Sequence, residues 1–437
     1  MKLFHKPPEF SIGIDFGTTT TRLCYLDNRV SYQVAPRVEP IRSIVAPRQT
    51  KDKKWIWFSG ESVLEKGLDH YSCFKWKMGC MEEITLEPSV QGGEPIKMRP
   101  EILAAHIIWV IYTKVCEDRR DLRNCKNVTI TIPAEWNAIQ RQATILAGRI
   151  AGFSNVHLIE EPVAAFLAIN EFHPDDRLKQ AENTLVFDCG GGTLDITVIH
   201  RPDRSKSHAF GRQTEAAAVR GDPGSAARLS KWHVFGRRTE ALPFVSGRDT
   251  NAGELAGEAI DQKLAAEVIG ESNWKQMSPI DQRYLANIIR QLKESLNPKD
   301  RSKDPLHEAS QSKVVILPDS KREFEPGTIR LTIGQLNKVA EEIAERAREI
   351  IQGALKSAGI HSSDIEAVVM VGGSSYLRPL QKVIATEFPK LEWGRGLYLE
   401  QPEEIVAIGA AMYQADLDHG RQRFGLRMPM ETFLDYE

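Results

Sequence analysis

The chain has 437 residues, 41% hydrophobic and 27% charged, which is enough apolar surface for two lobes and more than one core usually serves. A formal net charge of -2 supplies no sustained positive field, so a nucleic-acid partner is not expected. The six cysteines show no C-x-x-C pairing, no apolar run reaches the ~18 to 20 residues of a membrane span, and residues 1–10 lack a signal-peptide core; the expected setting is cytoplasmic or nuclear, off the membrane.

Residues 11–15 read as a short buried strand, 17–19 as a turn and 21–26 as a returning strand, a hairpin with a phosphate-sized tip. A strand at 128–132 leads to a helix opened by a capping box of Asn137 and Gln140, with Ile139, Ala143, Leu146 and Ile150 as its apolar positions. The hairpin then recurs as strand 184–187, tip 189–192 and returning strand 194–199. Both copies hold Asp-x-Gly followed by small residues and Thr, as Asp15-Phe16-Gly17-Thr18-Thr19-Thr20 and Asp188-Cys189-Gly190-Gly191-Gly192-Thr193. So distant a recurrence implies two lobes of similar architecture.

Residues 201–238 are rich in Arg, Ala, Ser and Gly without apolar periodicity and read as a disordered insertion. Order resumes near Glu254, with a helix over 283–296. Thr332 and Gln335 cap a long helix whose face runs Leu336, Val339, Ile343, Ala347, Ile350 and Ala354 as far as Gly359. Ala367–Val371 reads as a buried parallel strand, with Gly372-Gly373-Ser374 opening the helix behind it. A final helix at 405–417 carries Gly409-Ala410-Ala411, small enough for close backbone approach, and the tail from Asp418 reads as loose. The division expected is lobe I over 1–177 with a subdomain inserted at about 42–105, lobe II over 178–417 with the 201–238 insertion and a subdomain at about 256–328, and a tail over 418–437.

Phosphates need donors without bulk, which a Gly/Thr-rich tip supplies as backbone N–H groups and hydroxyls. Asp15 and Asp188 stand at the two hairpin entrances, where facing carboxylates would hold hydrated magnesium. One such hairpin is as well explained by an ordinary turn. Two copies, with Gly-Gly-Ser after a third buried strand, point to a nucleotide cleft between lobes.

Residues 12–19 resemble the first phosphate motif of the seventy-kilodalton heat-shock chaperone family within the actin-like superfamily, and residues 186–195 resemble its second. Ile132-Pro133-Ala134-Glu135-Trp136-Asn137 with Gln140-Arg141-Gln142-Ala143-Thr144, and Glu161-Pro162-Val163-Ala164-Ala165, resemble parts specific to the chaperones. The resemblance implies an α/β, two-lobed actin-like ATPase fold, in which duplicated ribonuclease-H-like lobes flank a cleft for ATP or ADP and Mg2+. It implies that Asp15 and Asp188 act on the metal through water, and that Gly17, Thr18, Thr19, Thr20, Gly190, Gly191, Gly192 and Thr193 hold phosphates. Lys75 matches the phosphate-stabilising lysine, Glu161 the carboxylate that orients water, Thr193 a further catalytic hydroxyl, and Pro133 with Arg141 the switch pair. Gly257, Lys293, Glu294, Asn297, Gly372, Gly373, Ser374 and Tyr376 match the nucleoside side.

That side departs from the pattern, because the two arginines that clamp adenine in the family correspond here to Glu294 and Tyr376. Residues after 417 show neither the family's acidic-leucine linker nor a strand-rich peptide-binding domain, so the expectation is an ATPase without the client-binding half, served by co-chaperone-like or nucleotide-exchange partners. A non-hydrolysing, nucleotide-gated scaffold is the alternative. A small-molecule kinase on the same fold is a third reading, disfavoured by the 140–144 match.

Overall fold

Alternating and continuous apolar runs pair into two mixed sheets that repeat one plan. The computed structural model describes residues 8–29, 37–50, 52–66, 68, 70–72, 74–80, 82–86, 95–200, 233–240, 256–296, 308–311, 315–316, 323–324, 329–399 and 401–420. In lobe I, β1 (Phe10–Phe16) pairs antiparallel with β2 (Thr20–Asp27), and β2 with β3 (Arg37–Arg42). On the other side of β1, β4 (Asn127–Ile132) and β5 (Asn155–Glu160) add in parallel, giving the order β3-β2-β1-β4-β5. Helices α1 (Pro100–Asp118), α2 (Ala138–Ile150) and α3 (Glu161–Phe172) complete the lobe.

Lobe II repeats this. β6 (Asn183–Cys189) and β7 (Leu194–His200) form the hairpin, and β8 (His233–Glu240) pairs antiparallel with β7. Helices α4 (Ala256–Ile269), α5 (Pro279–Ser295) and α6 (Ile333–Ala358) precede β9 (Ala367–Val371), which pairs in parallel with β6. After α7 (Arg378–Glu387), the short strands β10 (Glu392–Trp393) and β11 (Gly396–Tyr398) extend the sheet to the order β8-β7-β6-β9-β11-β10. Hairpin and third strand antiparallel, later strands parallel on the far side of the first: the succession is the same in both lobes, as the paired motifs implied.

The last helix, α8 (Ile405–Asp418), lies with α3 in a core fed by both lobes, including Leu26 and Ile159 from lobe I and Val186, Val369 and Tyr398 from lobe II. Close approach there depends on glycine, since a Cβ at Gly409 would sit 1.8 Å from the Ala164 carbonyl oxygen. The capping box of α6 forms with both of its hydrogen bonds, and Gly359 ends the helix in the left-handed region at φ 66°.

Four expectations change. The apolar positions Ile139, Leu146 and Ile150 of α2 are exposed at 64%, 44% and 47%, and the helix instead buries Ala143, Thr144, Ala147 and Gly148, because small residues let it sit close to the sheet. Helix α5 starts four residues early, at Pro279 behind Ser278, whose side chain accepts from the Asp281 N–H. The insertion read at 201–238 lies outside the described residues as far as 232, but its end belongs to β8, where backbone pairing covers the open edge of β7. Asp418 is not loose: it accepts hydrogen bonds from Ser11 (2.6 Å) and Asn127 (2.8 Å) at the end of α8. Among the described residues no helix is long and apolar enough to cross a membrane.

Candidate active site

The two hairpins turn their tips toward each other. A Cβ on Gly191 would come 2.3 Å from the Thr19 side chain, so the glycines of β6–β7 let lobe II close against the threonines of lobe I. Between the lobes is a cavity of about 430 Å³, within the range of small-molecule sites. Lobe I lines it with Asp15, Gly17, Thr18, Thr19, Thr20, Lys75 and Glu161, and lobe II with Asp188 and residues 190–193. Gly257, Lys293, Glu294, Gly372, Gly373, Ser374 and Tyr376 form the remaining wall. Asn297 lies outside the described residues.

Each carboxylate is placed by an element the sequence dictates. Asp15 ends the buried run of β1 and accepts from Thr131 Oγ1 at 3.1 Å, Asp188 sits near the end of β6, and Glu161 opens α3 ahead of Pro162. Lys75 lies in a single 3-10 turn at Phe74–Lys77 and donates to Glu161 Oε1 at 2.7 Å, with both side chains buried. Its ammonium also stands 5.8 Å from the Phe16 ring centre and 5.7 Å from that of Trp136.

Burial pushes the Glu161 carboxyl up to about 7, against the pull of Lys75 and with help from Asp15 and Asp195. Asp188 is raised well above the carboxylate range by burial first, then by Glu161, Asp195 and Asp15. Asp15 is raised by burial too, opposed by Lys75 and Arg22. Asp188 therefore feels Asp15 across the cleft.

At the other end, Asp261 is gripped by Arg290 at 2.7 Å and Lys293 at 2.5 Å, and Lys293 also donates to the Gly257 carbonyl at 3.1 Å. Gly372 has φ 81°, and a Cβ there would lie 2.3 Å from the Cys189 carbonyl oxygen, so the third glycine-bearing strand end packs directly on the second tip. Ser374 Oγ donates to the Gly190 carbonyl at 2.9 Å and fixes that tip. Cys189 is a buried thiol raised by its burial, which keeps it protonated.

Beside Glu294 of the cavity wall the two lobes are bridged. Arg42 of β3 donates to Glu294 of α5 at 2.7 Å, and Asn287 of the same helix bonds His70 at 2.9 Å. Glu294, which stands where the resemblance placed an adenine-stacking arginine, is thus a lobe-to-lobe contact.

Pro133 and Arg141 stand outside the cavity wall. Arg141 donates to the Trp136 carbonyl at 3.0 Å and to Glu160 Oε1 at 3.0 Å, one residue before Glu161. Sequence reasoning missed Arg22, Asp261, Leu377, Pro402, Glu403 and Val406. Arg22 had a readable signal, seven residues after Asp15 across a tight hairpin. The others depend on chain segments that only tertiary packing brings to the cleft.

A family model described as Hsp70 protein matches residues 61–203 and 247–426. Among curated proteins, chaperone protein DnaK of Mycoplasma mobile is 26% identical, covering 93% of this chain and 58% of its own length. Chaperone protein DnaK of Buchnera aphidicola subsp. Schizaphis graminum is 31% identical, covering 72% of this chain and 42% of its own. The chain spans about half the length of the curated relatives it matches. The break in the family match after 203 coincides with the Arg-rich segment.

Proposed function

The chain belongs to the Hsp70 protein family, and from that membership we propose that it binds ATP with magnesium between its lobes and hydrolyses it, opening and closing with nucleotide state. The observation that carries this reading is the convergence of Asp15, Asp188, both hairpin tips and the Lys75–Glu161 pair on one cavity. Phosphoryl transfer asks mainly for positioning and charge neutralisation, and this wall is suited to both. The tip amides with the hydroxyls of Thr18, Thr19 and Thr193 hold phosphates, and Lys75 faces the terminal one. Glu161, titrating at about 7, takes the proton of an attacking water at neutral pH.

Asp15 and Asp188 fit a hydrated magnesium ion, being hard oxygen donors whose carboxyls burial raises, Asp188 with further repulsion from Glu161, Asp195 and Asp15. When bound, the ion neutralises phosphate charge. On the nucleoside side, Glu294 and Tyr376 stand in place of a double-cation clamp beside a retained Lys293, so base recognition is expected to be weak relative to phosphate recognition. Arg141 and Pro133 relay the state of Glu161 through Glu160. Nucleotide-exchange or co-chaperone-like proteins are the proposed partners, and the cytoplasm the proposed compartment.

A single-turnover assay with Mg-ATP tests this. The protein should release phosphate, and Glu161→Gln should slow release by ~100-fold or more while leaving binding within a few-fold. Tight ATP binding with no release in the wild-type protein would make the cleft a nucleotide-gated scaffold instead.

A further inference from the structure

Among the described residues, one cation in the cavity wall has no carboxylate paired with it. Arg22 of β2 lies directly opposite Asp15 of β1, and cross-strand partners in an antiparallel pair share one face of the sheet. Asp15 faces the cavity and Arg22 lines it as well. The second hairpin has the same register with opposite chemistry, Asp188 standing opposite Asp195. The duplicated scaffold thus sets a guanidinium in lobe I where lobe II has a carboxylate.

The other cations lining the cavity are committed: Lys75 to Glu161, and Arg290 and Lys293 to Asp261. Among the described residues the Arg22 side chain makes no hydrogen bond and no ion pair, although it is only partly exposed. Its field reaches Asp15, where it opposes the rise that burial imposes. Five N–H donors in a rigid fork, half-buried and facing a cavity, match a pair of phosphate oxygens better than an ammonium does.

We propose that Arg22 is a phosphate-binding residue of the cleft, whose guanidinium engages the terminal phosphate oxygens of a bound nucleoside triphosphate. The assignment rests on reading the cleft as a nucleotide site and adds a residue to it. Because Lys75 is shared with Glu161, Arg22 is, among the described residues, the uncommitted cation that neutralises the anion at this end.

Calorimetric titration of the wild-type protein, Arg22→Gln and Arg22→Lys with ATP, AMP and inorganic tripolyphosphate tests it. Arg22→Gln should weaken ATP and tripolyphosphate about tenfold or more and leave AMP within about twofold; Arg22→Lys should fall between, as a point charge without the fork. Thermal melting identifies a variant that fails to fold, in which case Arg22→Lys carries the comparison. Wild-type binding of ATP with unchanged ATP and tripolyphosphate affinity in the variants overturns the Arg22 assignment and leaves the nucleotide reading standing. Arg22-dependent binding of tripolyphosphate without binding of ATP does the reverse. Binding of neither anion overturns both.

Discussion

Replacing Glu161 by glutamine should make the ligand-free protein less sensitive to rising pH while disabling the site. The carboxyl titrates near 4.5 in the unfolded chain and at about 7 in the folded one, chiefly because burial penalises its charge. Between those values the native state holds a proton that the unfolded state has lost, so stability falls as pH rises. The stabilising contribution is full below 4.5 and gone once pH has climbed through 7. A rise from 4.5 to about 7, at about 1.36 kcal/mol per pH unit, comes to roughly 3 kcal/mol. Glutamine keeps the shape without ionising, and Lys75 still faces the carboxyl groups of Asp15 and Asp188. Urea unfolding of both proteins at pH 5, 6, 7 and 8 without nucleotide is the assay. The wild-type curve should drop by roughly 2.5 kcal/mol more than that of Glu161→Gln over this range, which starts a little above 4.5. Parallel curves would refute the claim that a buried, destabilised carboxylate sits at the centre of the site.

The Arg42–Glu294 bridge, with one partner half-exposed, should contribute ~0.2–1 kcal/mol to closure, so Arg42→Glu should speed release of a fluorescent ATP analogue by up to about fivefold and the double reversal with Glu294→Arg should restore it. An unchanged rate in stopped flow, or additive single effects, would remove the bridge from the closure pathway. Gly409→Val forces side-chain atoms into the Ala164 carbonyl and should cost about 3 kcal/mol or more, read as a fall in melting temperature or loss of soluble protein. On α2, Ile139→Ser should lie within about 0.5 kcal/mol of wild type, whereas Ala147→Leu, on the buried face, should cost about 1–3 kcal/mol. The opposite ranking in chemical denaturation would restore the apolar face read from the sequence.

The α2 example shows where pattern reading fails. The sequence marks Ile139, Ala143, Leu146 and Ile150 as the helix's apolar positions, but of these only Ala143 is buried, because the distance between helix and sheet selected small residues for the buried side. The end of the Arg-rich segment was likewise misjudged, because strand formation at His233–Glu240 comes from hydrogen bonding to the edge of β7 and not from local periodicity.

The duplicated hairpins, their glycine and threonine tips, the carboxylates at their entrances and the capped helices were all decided by local sequence, because turn chemistry, capping and strand alternation act over a few residues. Tertiary structure alone decided which charges meet. Lys75 and Glu161 are 86 positions apart and Arg42 and Glu294 are 252, and nothing local to any of the four announces its partner. Coulomb interaction and desolvation depend on distance through space and on exclusion of water, and both are set only once the two lobes have closed on a common core.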